Sequence, residues 1–197
     1  MTDRPREMLH MTLEPLACIL QITPILALFA ACGGGSGAHP SAPAGVTEAQ
    51  VTVTSNAFTE GGTVPIDFTC DGKDSSPEIS WSSPPPGTKS ITIVVDDPDA
   101  PGGTFTHFLA YGISPDVHEL KAGADLSTLA RIGKNDFGAV RYNGPCPPKQ
   151  EAHLYRFQIF ALDVALNLAE AAPRADVDAA MSGHVLGRGM LTAQFGH

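Results

Sequence analysis

Basic residues are few in this sequence and nowhere clustered: 12 Lys and Arg stand against 21 Asp and Glu, a formal charge of −9 over 197 residues. A phosphate backbone is held by clustered Lys and Arg, so nucleic acid is not an expected partner. The acidic balance also works against electrostatic adhesion to anionic lipid, although a single local pocket can still attract an anion. Cysteines number four, and none stands in the C-x-x-C spacing of redox motifs. The G-x-S-x-G turn and the H-E-x-x-H helix are both missing, which removes two common hydrolase designs. There is no internal repeat of the kind that builds propellers or solenoids. No apolar run reaches the roughly 20 residues of a membrane-spanning helix.

What is present begins with a composition of 43% hydrophobic and 17% charged residues, which suits one folded domain. From Ala17 to Ala31 the only strongly polar side chain is Gln21, and the run closes on Leu28-Phe29-Ala30-Ala31-Cys32. At about 15 residues it fits the apolar core of a signal peptide better than a membrane span. Residues 1–32 are therefore expected to be an export signal of lipoprotein type, with Cys32 the acylated first residue of the mature chain and its lipid anchor. A buried N-terminal helix is the competing reading. Residues 33–49, rich in Gly, Ser, Pro and Ala, carry too little apolar surface to offset their ordering entropy and read as a flexible linker. The folded domain is expected over 50–197. Cys70 and Cys146 are its two cysteines. Export favours a disulfide between them over two buried thiols, and such a bridge closes a long loop and stabilises by a few kcal/mol in the chain-entropy model.

Strands are predicted where apolar and polar residues alternate or β-branched residues run together: Val51–Thr54, Val64–Thr69, Ser90–Asp96, Phe105–Ile113, His153–Leu162 and Met190–Phe195. Pro and Gly fill the turns, as in Pro84-Pro85-Pro86-Gly87 and Pro98–Gly103. One segment has helical spacing, with Pro173 at its start and Val177, Met181, His184 and Val185 recurring before Gly187. Many strands with little helix predict a mainly β, largely antiparallel domain.

Two stretches concentrate chemistry-bearing residues. In the first, Asp96-Asp97-Pro98-Asp99 ends a buried-looking strand, and His107 opens the next, where a period of two sets it on one face with Leu109 and Tyr111. Turn-forming carboxylates and a core histidine would account for these residues without any function. In the second, Arg141-Tyr142-Asn143-Gly144-Pro145-Cys146-Pro147-Pro148 precedes His153-Leu154-Tyr155. His153 and Tyr155 project to one side of their strand, beside a proline-stiffened loop. Imidazole, phenol and loop N–H groups are donors, the set a phosphate or carboxylate requires. A carboxylate such as Asp97 nearby would favour protonated imidazoles.

Asp97-Pro98-Asp99-Ala100-Pro101, His107, Gly144-Pro145-Cys146-Pro147-Pro148 and His153-x-Tyr155, in this order, resemble the two signature regions of the phosphatidylethanolamine-binding protein family. Phe68-Thr69-Cys70-Asp71-Gly72, Ser76-Pro77, Ser80-Trp81, Pro86-Gly87-Thr88-Lys89-Ser90, Asn135-Asp136-Phe137-Gly138 and Phe160-Ala161-Leu162-Asp163 extend the likeness to its bacterial and archaeal, Raf-kinase-inhibitor-like branch over about residues 51–196. The resemblance implies an antiparallel Greek-key β-sandwich with one or two short helices. It implies ligand roles for Asp97, Asp99, His107, Cys146 through its backbone, His153 and Tyr155, with Gly144 shaping the loop. Neither catalytic residues nor a metal or other cofactor are implied. The expected function is a non-enzymatic module binding phosphate, phosphorylated head groups or phospho-ligands, with inhibition of a protein target and homodimer formation as further expectations. The alternatives are a metal-dependent hydrolase built on the His and Asp cluster, and a structural or interaction protein of the cell envelope. Leu154, Phe108 and Arg141 depart from residues frequent in the family, and Leu154 puts in question an accessory Arg on the outer strand face.

Overall fold

The computed structural model describes residues 47–197. The export signal expected over 1–32, with Cys32, and the linker as far as residue 46 lie outside the described residues. The chain forms β1 (Ala49–Gln50), β2 (Val53–Thr54), β3 (Gly62–Thr63), β4 (Ile79–Trp81), β5 (Ser90–Asp97), β6 (Phe105–Ile113), β7 (Glu119–Leu120), β8 (Arg131–Ile132), β9 (Ala152–Leu162) and β10 (Val185–Gly196), with α1 (Arg174–Met181) between the last two. β1 thus takes up Ala49, the last residue of the expected linker.

The strands make two sheets. The larger runs β1-β10-β9-β5-β6-β8, with β3 also beside β10, and the smaller runs β2-β4-β7. All pairings among the long strands are antiparallel, while the two-residue β1 and β3 lie parallel to β10. Edge strands this short offer little ladder to another chain. β5 is buried at every position because strands flank it on both sides and both its faces are covered, which is why it reads as a continuous β-branched run. β9 instead alternates, burying His153, Tyr155, Phe157 and Ile159 and leaving Leu154, Arg156 and Gln158 half-buried.

The main core lies between the sheets, where Val53, Ile79, Trp81 and Leu120 meet Ile91, Ile93, Val95, Phe157, Ile159 and Leu191. On the other face of the large sheet, Val94, Leu109, Tyr111 and Phe160 are covered by Leu166, Ala172, Val177 and Met181. Each such buried side chain contributes about 1.5–3 kcal/mol. An eight-residue helix is too short to hold its own, so α1 depends on Val177 and Met181, its buried pair. An Asp at Val177 would remove that support. His184 and Val185, expected on the helix, come after a turn at Ser182-Gly183, and Val185 begins β10.

Two other expectations change. Val64–Thr69 is not a strand: Ile66–Phe68 is a 3-10 turn, started by Pro65 and closed by Thr69, whose N–H and hydroxyl both donate to the Ile66 carbonyl. The last strand is twice the expected length because Gly187 and Gly189 interrupt its apolar pattern. A Cβ on Gly189 would lie 2.0 Å from the Val51 carbonyl oxygen, so glycine is what lets the β1 segment approach β10. Cys70 and Cys146 form a disulfide with Cα atoms 5.4 Å apart.

Candidate functional site

The site begins with an irregularity in the β5–β6 ladder. Val95 faces Phe108 but Asp96 faces Thr106, so β6 carries one extra residue, His107, in a bulge. Bulges re-aim side chains. Strict alternation would group His107 with Leu109 and Tyr111, and this expectation is overturned: those two enter the helix-side core, while His107 packs edge-on against Tyr155 with ring centroids 5.2 Å apart. Without the bulge the imidazole would face the wrong layer.

Past the bulge, a pocket of about 320 Å³ opens at the sheet's end, at the small end of the range for ligand sites. Asp97, Ala100 and Pro101 form one wall, Phe105, His107 and Phe137 a second, and Cys146, Pro147, Pro148 and His153 the rest. Four sequence-predicted residues, Asp97, His107, Cys146 and His153, therefore share one surface. His107 and His153 come from strands that are not neighbours, and β5 between them supplies Asp97.

His153 is 5% exposed, with Nδ1 2.7 Å from Asp97 Oδ2 and Nε2 3.2 Å from Glu151 Oε2. Burial works against charge on this ring, but hydrogen bonds to Asp97 and Glu151 and their negative charges outweigh it, raising the pKa above the usual 6.5. His107 behaves oppositely. Its Nδ1 lies 2.9 Å and 3.0 Å from the carbonyl oxygens of Asn143 and Gly144, so Nδ1 carries the proton. Burial lowers its pKa by more than those carbonyls and the Asp97 and Asp74 charges raise it. The expected shift toward the protonated form is therefore found in direction at His153 and reversed at His107. At neutral pH His107 turns a lone pair at Nε2 toward the pocket, and no described residue hydrogen-bonds that atom.

Tyr155 stands one layer behind the pocket wall. Burial, and then the Asp97 charge, push its phenol up, while the Cys146 backbone acts in the other direction. These neighbours are close enough to act electrostatically, yet none meets hydrogen-bond geometry, and the buried hydroxyl is unpaired among the described residues. Such a group costs about 1–3 kcal/mol.

Asp99 and Gly144 do not line the pocket. Asp99 donates its N–H to Asp97 Oδ1 and accepts the Leu154 N–H at Oδ2, each at 2.9 Å, which ties the loop after β5 to β9. Gly144, expected to shape the loop, donates its N–H to Asp74 Oδ1 at 2.6 Å. A Cβ on Gly144 would sit 2.1 Å from the Phe68 carbonyl oxygen, so glycine here permits the two loops to touch.

Besides the wall residues Phe105 and Phe137, three polar residues around the site were not assigned a site role from the sequence. Glu151 stands two positions before His153, and the strand period was the signal that could have found it. Asp74 gathers Arg141 Nη1, Asn143 Nδ2 and the Gly144 N–H on one carboxylate. Asn135, buried, places Nδ2 within 3.1 Å of the carbonyls of His107 and Arg141 and of Asn143 Oδ1. Neither sequence spacing nor residue type marked Asp74 or Asn135 as the clamps that fix the His107 bulge against the loop at residues 141–144.

The neighbouring Asp96 points to the other side of the sheet, where Arg156 and Arg174 neutralise it and the Gln158 amide donates a hydrogen bond, a structural cluster. A narrow, partly open and mostly apolar cleft among Ile79, Ile93, Phe108, Tyr142 and Phe157 measures about 20 Å³, room for about one water and far too little for an acyl chain. A two-histidine metal site in the pocket would require His153 to give up one of its carboxylate partners.

The model of the family described as phosphatidylethanolamine-binding protein matches residues 54–196. A UPF0098 protein of Aquifex aeolicus is 45% identical over 141 residues, covering 68% of this chain and 81% of that protein. LppC of Mycobacterium tuberculosis, named as a candidate lipoprotein, is 33% identical over 203 residues, covering 92% of this chain and 98% of its own. Among solved structures, Escherichia coli YbcL, described as a new member of the mammalian PEBP family, superposes with a TM-score of 0.71 at 31% identity, covering 76% of this chain and 99% of that one.

Proposed function

Because the chain belongs to the phosphatidylethanolamine-binding protein family, we propose that it is a non-catalytic binding module that takes one small anion, a phosphate, phosphorylated head group or carboxylate, in the pocket between His107 and His153. The observation that carries this reading is the contact at His153 Nε2. A carboxylate of the protein itself, Glu151, already occupies that atom, and its side chain is 54% exposed and free to swing away. An anionic guest would replace it and accept the charge-assisted hydrogen bond. Across the pocket His107 would take up a proton at Nε2 and become the second donor. Phe105, Phe137 and Pro147 line the same pocket, and displacing water from around a bound guest strengthens these bonds. Cys146 contributes through its backbone, while Asp97, Asp99, Gly144 and Tyr155 position the donors.

The binding module is placed by this reading outside the inner membrane, as a lipoprotein carried on Cys32. The naming of LppC supports that location, as does the apolar run before Cys32. Inhibition of a protein target and a homodimeric state belong to the same proposal.

Titration calorimetry with inorganic phosphate tests the role of Glu151. Glu151→Gln removes a competitor and a like charge, so phosphate should bind roughly two- to tenfold more tightly, the equivalent of one ordinary hydrogen bond. Unchanged or weaker binding would contradict a guest at His153 Nε2.

A further inference from the structure

A second cluster of donors lies outside the pocket, where the C-terminal residue crosses the disulfide. One ligand atom each from Cys70, Cys146 and His197 lie within 4.8 Å of one another; the two cysteines are exposed, and the His197 side chain is 10% exposed. Tetrahedral zinc, with bonds of about 2.3 Å to sulfur and about 2.0–2.1 Å to nitrogen, holds its donors roughly 3.5–3.8 Å apart, so once the disulfide is opened the two sulfurs must separate while the imidazole closes in, changes side-chain rotation can supply. We propose that when a dithiol opens the Cys70–Cys146 bond, the two thiols and the His197 imidazole become a site for a thiophilic divalent cation such as Zn²⁺.

Three features favour the site over a mere gap. The two loops are joined by bonds that do not depend on the disulfide: the Cys70 N–H donates to the Pro145 carbonyl at 3.1 Å, the Gly144 N–H to Asp74 at 2.6 Å and the Tyr142 hydroxyl to the Phe68 carbonyl at 3.0 Å. The sulfurs therefore stay near each other after reduction. His197 Nδ1 lies 2.7 Å from Asp71 Oδ2, the carboxylate–imidazole pairing that orients metal-binding histidines. Nε2, now 3.0 Å from the Pro147 carbonyl, is then the ligand atom. Exposure also makes the disulfide accessible to thiol exchange.

The chemistry balances. The dithiol gives two electrons and two protons and closes to its own disulfide, while the Cys70–Cys146 bond breaks to two thiols. Metal binding then releases to solvent both thiol protons and the proton that His197 Nε2 donates to the Pro147 carbonyl, leaving two thiolates and a neutral imidazole protonated at Nδ1 around the dication, with a fourth position for water. Because Cys146 and Pro147 also line the anion pocket, the state of this site reaches the pocket wall.

The test reduces the purified protein with a phosphine, removes the reductant without air, and titrates Co²⁺ followed by Zn²⁺. One Co²⁺ per chain, with thiolate-to-cobalt charge-transfer absorption that Zn²⁺ abolishes, is expected for the reduced protein and not for the oxidised one. Cys70→Ser and Cys146→Ser should each lose the band, and His197→Ala should weaken Zn²⁺ at least about tenfold. Equal cobalt binding by reduced and oxidised protein, or an unchanged His197→Ala, would overturn the proposal. Circular dichroism should report a retained β-fold after reduction; its loss would also count against a site that relies on the loops staying paired.

Discussion

At the residue scale, the two histidines of the pocket carry opposite perturbations, and their stability effects oppose each other with pH. His153 has a raised pKa, so the folded state holds its proton more tightly than the unfolded chain. Its contribution is complete below about 6.5 and is lost as pH rises through the folded value. His107 has a lowered pKa, so its contribution is complete above about 6.5 and is lost as pH falls through the folded value. Urea unfolding across mildly acidic to mildly alkaline pH should therefore show the histidine-dependent part of stability declining on both sides of about 6.5. In His153→Ala the alkaline decline should disappear. The variant should also be less stable by roughly 3 kcal/mol near neutrality, since Asp97 is left buried without its partner. A wild-type-like alkaline limb in that variant would assign the decline to other groups.

At the element scale, the long strands were legible in the sequence because burial imprints its period on them. β5 shows two-sided burial, and β9 shows alternation that puts His153 and Tyr155 on one side. The β6 bulge was not legible, because an extra residue in a ladder is defined by the partner strand and leaves no mark on its own. For the same reason residues 64–69 passed for a strand: alternation was present, but Pro65 and the Thr69 bonds that turn the chain act through geometry. The clamps Asp74 and Asn135 were hidden because they act on backbone groups far away in sequence. These elements meet where Gly144 lies against Phe68, so Gly144→Ala should separate the 66–74 and 141–148 loops. A loss of about 1–3 kcal/mol in chemical denaturation is expected, with weakened phosphate binding although no liganding atom is removed. Full stability in this variant would mean that the loops are not held as tightly as their contact implies.

At the scale of the whole molecule, the sandwich supplies a rigid frame and the disulfide fastens the two loops that complete the pocket. The bridge joins residues 76 apart in sequence, for which the chain-entropy model gives about 4 kcal/mol. Reduction should lower stability in urea by roughly that amount, and a loss below about 1 kcal/mol would show that the loop contacts alone suffice. The pairing of these cysteines was only favoured from sequence, on the strength of export. Family membership was readable from ordered motifs spread over most of the domain, whereas the balance of charge inside the pocket depended on Glu151 and on which nitrogen of His107 carries a proton.

The proposed function rests on two imidazoles, brought together from non-adjacent strands, serving as opposite jaws on one negatively charged guest. The most direct measurement follows the ring resonances of His107 and His153 by NMR while inorganic phosphate is added to the wild type and to His153→Ala. The account predicts that both rings shift together along one saturable curve, that His107 gains a proton as it saturates, and that His153→Ala abolishes the response. Saturation that leaves either ring unmoved, or that survives the substitution, would contradict it.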